Sequence, residues 1–262
     1  MGGGGHPLSP KDGAWSTLSP SAIPFDEHGP PPHVVDKDDM ERIAESFAAA
    51  ARRACRIGFD LAELHTAHGY LLHSFLSPIA NRRNDAFGGS LENRMRFPLR
   101  VFEAIRAAWP SAKPLGARIT GTDWLDGGLV LQDACRFAAE LKDRGCDYVC
   151  VTSGGIVQKA PIPYAPGYMA PFAARVRHDA GIATRAVGYI SDPMLANDII
   201  MRGDADMVAV GRGFLDDPRW VWHAATVLGE TITYPSQYEK TRPALWRRTN
   251  ASPAETLRRT GS

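Results

Sequence analysis

Cysteine is scarce in this chain of 262 residues, with Cys55, Cys135, Cys146 and Cys150 the four present. No C-x-x-C pair occurs among them, which weighs against a zinc cluster or a thioredoxin-like redox motif. All four read as free thiols in a reducing cytoplasm. Excess charge of one sign is also missing. Thirty Lys and Arg face 29 Asp and Glu, a formal net charge of +1. That balance gives neither nucleic acid nor a membrane surface an electrostatic footprint. No apolar run approaches the roughly 20 residues that span a bilayer. The first residues, MGGGGHPLSPKDG, lack the charged-then-apolar order of a signal peptide. No G-x-G-x-x-G follows the first predicted strand, which lowers the dinucleotide-binding reading.

What is present is the composition of a globular chain, 44% hydrophobic and 23% charged. Residues 1–35 are rich in Gly, Pro and Ser without a period and read as an irregular surface loop. Its apolar pieces WSTL and AIPF suggest that it packs against something. From 36 to 230 helices and short apolar strands alternate, and 231–262 form a polar tail. Met40, Ile43, Phe47, Ala50 and Ala54 recur at helical spacing over 36–57, after the capping candidates Asp36 and Asp38. Strands are expected at Phe59–Leu64, Leu115–Ile119, Tyr148–Val151, Ala183–Val187 and Met207–Val210. Helices are expected over 90–109, 130–144, 171–180, 193–202 and 220–227, several of them ended by Gly. This alternation predicts an α/β fold with a parallel sheet, either open and doubly wound or part of an eight-stranded barrel.

Chemistry-bearing residues collect just past the strand ends, where α/β proteins place their sites. His65 and His68 follow the first strand, and Arg118 lies near the end of the second. Ser153-Gly154-Gly155 follows the third, Gly188 the fourth, and Gly211-Arg212-Gly213 the fifth. Glycine turns after the last strands suit a phosphate, because backbone N–H groups can approach its oxygens and Arg212 offers a two-pronged fork. Arg118 could instead pair with Asp123 or Asp126. A metal site built from Glu63, His65 and His68 is disfavoured, since His68 lies beyond the strand that carries the other two. Two neutral imidazoles can donate N–H bonds to one oxygen and stabilise charge developing there. Tyr70, next to Gly69, could supply a proton nearby.

The motif H-x-x-H-G-Y-L-L-H-x-F-L-S-P, followed by N-x-R-x-D-x-F-G-G-S-L-E-N-R, resembles the signature of the old yellow enzyme family. The H-x-x-H form is similar to that of its bacterial, xenobiotic-reductase-like branch. The resemblance continues through PSAIPF, TDWLDGG, TSGG, PGYMAPFA, AVGYI, VAVGRGFLDDP and YPSQYEK, almost the whole chain. It implies an FMN-containing (β/α)8 barrel that passes a hydride from NAD(P)H through flavin to an α,β-unsaturated carbonyl or nitro acceptor. It also implies cytoplasmic location and assembly into homo-oligomers. His65 and His68 match the pair that binds the acceptor's oxygen, and Tyr70 the proton donor. Arg118 matches the arginine beside the flavin pyrimidine, and Gly188, Gly211 and Arg212 the phosphate grip.

The resemblance also implies differences. The family's first three strands have no counterpart, so the five strands here correspond to strands four to eight of an incomplete barrel. The flavin contacts carried by those strands are not assigned to this sequence. An alternative expectation follows: a non-catalytic fragment that binds flavin only when the missing strands complement it. Lys240 stands where the branch has an arginine that reaches a neighbouring subunit's site, with Arg242 close by.

Overall fold

The structure, a computed structural model, describes residues 8, 10–26 and 29–241. Within the irregular N-terminal stretch, β1 (Leu18–Ser19) and β2 (His33–Val34) pair in parallel. Helix α1 (Lys37–Arg56) starts at a reciprocal cap: the Asp36 carboxylate accepts from the Asp39 N–H, and the Asp39 carboxylate accepts from the Asp36 N–H. Then come β3 (Ala62–Thr66), α2 (Leu71–Leu76), α3 (Leu91–Ala108), β4 (Leu115–Thr120), α4 (Leu131–Asp143) and β5 (Tyr148–Thr152). The series closes with α5 (Ala170–Ala180), β6 (Ala183–Ala186), α6 (Pro193–Met201), β7 (Met207–Val208), α7 (Arg212–Asp216) and α8 (Trp220–Leu228). A 3-10 helix at Ser236–Thr241 holds Lys240, while Arg242 lies outside the described residues.

The five strands β3 to β7 form one parallel sheet in chain order, as five successive strands of a barrel would. Its two outer strands, β3 and β7, each pair on one side only among the described residues. Two expectations need correction. The first strand begins at Ala62 and not at Phe59, because the Phe59 N–H still bonds back to Ala54 and the ladder opens with the Ala62 N–H to Pro114. Phe59 and Leu61 are exposed in spite of their hydrophobicity. The fifth strand stops at Val208, two residues early, although the Ala209 N–H still reaches the Ala186 carbonyl.

Register decides which side chains meet. His65 pairs with Arg118, Arg118 with Cys150, and Cys150 with Arg185. Alternate residues point to opposite faces, so Glu63, His65, Arg118, Thr120, Tyr148, Cys150, Thr152 and Arg185 share one face. The opposite face carries Leu64, Ala117, Ile119, Val149, Val151 and Ala186, which join Phe97, Phe102, Phe137 and Ile199 of the helices in the main core. The first face is unusually polar for a parallel sheet. Part of its charge is matched internally: the Tyr148 hydroxyl donates to Glu63 Oε2 at 2.8 Å, and Arg185 also donates to Glu63. Glu63 is thereby engaged away from the histidines.

Candidate active site

Past the end of β3 the backbone turns sharply. His68 has φ +57° and Gly69 φ +75°. A Cβ on Gly69 would lie 2.0 Å from the Gly155 carbonyl oxygen, and one on Gly155 would lie 2.6 Å from the His68 Cα. The His68-Gly69 turn is therefore pressed against the Gly154-Gly155 turn after β5, and glycine is required on both sides. The His68 N–H lies 3.3 Å from Thr120 Oγ1, and its ring Nε2 is 2.9 Å from Thr152 Oγ1.

A buried frame holds this turn from behind. The Gly69 N–H donates to His73 Nδ1 at 2.8 Å, and His73 Nε2 lies 3.1 Å from Asp123 Oδ1. Both side chains are inaccessible to solvent. Asp123 Oδ2 accepts from the Ser77 hydroxyl and from the Leu129 N–H, each at 2.7 Å. Burial pushes the Asp123 carboxyl upward, but His73, Ser77 and Leu129 together outweigh it and hold the group below its ordinary value of 3.8. The alternative pairing of Arg118 with Asp123 or Asp126 does not form, and no carboxylate among the described residues lies within ion-pair distance of Arg118. Arg118 Nε is buried with no hydrogen-bond partner.

A cavity of about 1010 Å³ opens at this end of the sheet, lined by His68, Arg118, Thr152, Gly188, Gly211 and Arg212 among others. Five of the seven expected site residues thus face one space. The other two, His65 and Tyr70, stand beside it: the His65 ring lies 5.2 Å from that of His68 and 5.3 Å from that of Tyr70, which is 63% exposed. Burial first, then the Arg118 charge and the neighbouring histidines, lowers His68 to about 4. Burial and Arg118 lower His65 in the same direction, against the pull of Glu63. Both imidazoles are therefore neutral near pH 7, each with one N–H to donate.

At the far side of the cavity the Arg212 guanidinium stacks on Tyr189, 4.4 Å from the ring centre. Tyr189, His68 and Trp124 are the non-glycine residues with positive φ among the described ones. Two of these three line the cavity, and Trp124 packs on Phe172 beside it. Clustered backbone strain of this kind is characteristic of functional sites. Gly188 has φ +110°, and a Cβ there would press on Met169, whereas the space beside Gly211 is open.

The residues suit FMN. The volume is at the upper end for a ligand pocket, Arg118, Lys159, Arg185 and Arg212 line it against the single carboxylate of Asp216, and Arg118 has an unused buried donor. The sequence reading missed three couplings, His73 with Asp123, Thr152 with His68, and Glu63 with Tyr148 and Arg185. Strand alternation carries a signal only for the last.

Fold and site together define an α/β barrel-type protein with a cofactor-sized, anion-favouring cavity at the carboxyl ends of its strands. The chain belongs to the NADH:flavin oxidoreductase / NADH oxidase family, whose model matches residues 9–230. It is 44% identical over 223 residues to an NADPH dehydrogenase of Geobacillus thermodenitrificans (strain NG80-2), covering 85% of this chain and 65% of that protein. An NADPH dehydrogenase of Listeria monocytogenes serotype 4a (strain HCC23) is 43% identical over the same shares. The chain therefore spans just under two thirds of the length of these relatives. Morphinone reductase in complex with tetrahydroNAD superimposes with a TM-score of 0.67 at 29% identity, over 85% of this chain and 62% of that one. A 2-naphthoyl-CoA reductase complex shares the fold at a TM-score of 0.74 and 23% identity, over 82% and 33% of the two chains.

Proposed function

We propose that this chain is an FMN-dependent oxidoreductase that passes a hydride from NAD(P)H to an activated alkene or nitro acceptor. The observation that carries the reading is the convergence of His68, Arg118, Gly188, Gly211 and Arg212 on one cavity. Arg118 would meet the acceptor atoms at the pyrimidine end of the flavin. Gly188, Gly211 and Arg212 would hold its phosphate through backbone N–H groups and a charged fork. When bound, FMN supplies a ring that takes up a hydride and releases it to carbon. The chain's own part is electrostatic: His65 and His68 offer neutral N–H donors to the acceptor's oxygen as charge grows there. Tyr70, beside His65, delivers the proton to the neighbouring carbon. Buried free thiols, with Cys146 pushed up to about 12 by its burial, suit a cytoplasmic enzyme.

A second reading rests on the single-sided pairing of β3 and β7: the chain takes up FMN only when further strands complete the sheet. The test of the main reading is NADPH oxidation by FMN-loaded protein with and without a cyclic enone. Enone-dependent NADPH consumption is expected. A bound flavin that NADPH never reduces would overturn the reading.

A further inference from the structure

Neutral imidazole has one proton and two nitrogens, so His68 can offer a ligand oxygen either a donor or a lone pair. Which one it offers depends on what its other nitrogen does. His68 Nε2 lies 2.9 Å from Thr152 Oγ1, and Nδ1 has no partner among the described residues. The Thr152 hydroxyl is buried, with one hydrogen to give and two possible acceptors. One is the Met169 sulfur at 3.5 Å, and the other is His68 Nε2. A thioether is a weak acceptor, while an sp² ring nitrogen is a strong one.

We propose that Thr152 is a positioning residue: its hydroxyl donates to His68 Nε2 and so fixes the ring proton on Nδ1, presenting an N–H donor to the ligand's oxygen. With the opposite tautomer the ring would turn a lone pair toward that oxygen and repel the charge developing on it. Thr152 sits at the last ladder position of β5, paired with Thr120, whose own hydroxyl lies within reach of the His68 N–H. The two threonines grip backbone and ring of the same strained residue, which gives the tautomer a fixed frame. The catalytic consequence rests on the reading of the cavity given above, but the tautomer itself does not.

The test is the long-range ¹⁵N–¹H correlation spectrum of the full chain labelled in histidine, recorded near pH 7 with the His68 signals assigned by a His68→Gln variant. Wild type and Thr152→Ser, which keeps the hydroxyl, should show the proton on Nδ1. Thr152→Val, nearly equal in volume, should move the proton toward Nε2. A wild-type spectrum with the proton on Nε2 overturns the proposal without reliance on any variant. So does a Thr152→Val spectrum identical to wild type. In FMN-loaded protein, Thr152→Val should lower enone reduction by about 10-fold or more, with Thr152→Ser restoring it. If the spectra behave as expected but no form reduces an enone, the fault lies with the proposed function and the tautomer assignment stands.

Discussion

Asp123→Ala is expected to destabilise the chain by about 3–5 kcal/mol, the range for removing one partner from a buried charged contact. The Ser77 hydroxyl and the Leu129 N–H would lose their acceptor, and His73 Nε2 the carboxylate 3.1 Å away, in a site closed to water. The loss should spread to the site, because His73 is what receives the Gly69 N–H behind His68. For a domain of this size it corresponds to a melting temperature lower by roughly 6–20 °C. The pH dependence has a definite sign. Asp123 is held below 3.8 in the folded chain, so its contribution is complete above that value and is lost as pH falls through the lowered folded value. Thermal melts of wild type and Asp123→Ala from pH 7 to pH 3 check this: the gap between the two curves should hold steady near neutrality and narrow toward the acid end. A gap that stays constant across the range would remove Asp123 from the account.

His68→Ala should separate the two halves of catalysis. In FMN-loaded protein, enone reduction is expected to fall by about 10²–10³-fold, the usual effect of deleting one preorganised donor to a developing oxyanion. Flavin reduction by NADPH, which develops no such charge, should fall far less. Rapid-mixing measurement of each half-reaction gives the comparison. His65→Ala should follow the same pattern, since its ring adjoins that of His68 on the same side of the cavity. Equal losses in both half-reactions would mean that the histidines hold the site together without serving the acceptor.

Much of this arrangement is legible in the sequence, for reasons that differ between residues. The five strands and their order follow from short apolar runs between glycine-ended helices, and parallel βα units place every strand end on one side. Hence His68, Arg118, Gly188, Gly211 and Arg212 could be grouped before any coordinates. Strand limits were less legible, because hydrophobicity reports burial imperfectly: Phe59 is apolar yet exposed, and the ladder starts three residues later. The short helix Leu71–Leu76 was not among the expected helices, since six residues are too few to show a period. The partner of Asp123 was not legible at all. Asp123 and His73 lie far apart in sequence and meet only because the loop after β4 packs against α2, so local reasoning could offer the carboxylate only the nearer Arg118 as an alternative partner. Likewise the tie between Thr152 and His68 spans two strands of the sheet and leaves no mark on either segment.

The central claim is that one cavity grips FMN by its ring and its phosphate together. Fluorescence titration of the chain with FMN and, in parallel, with riboflavin, which lacks the phosphate, tests it most directly. FMN should bind about 10–150-fold more tightly than riboflavin, the worth of charge-assisted hydrogen bonds to the phosphate of roughly 1.5–3 kcal/mol. Arg212→Ala should close most of that gap. Equal affinities for the two flavins, a gap untouched by Arg212→Ala, or no binding of either would contradict the account.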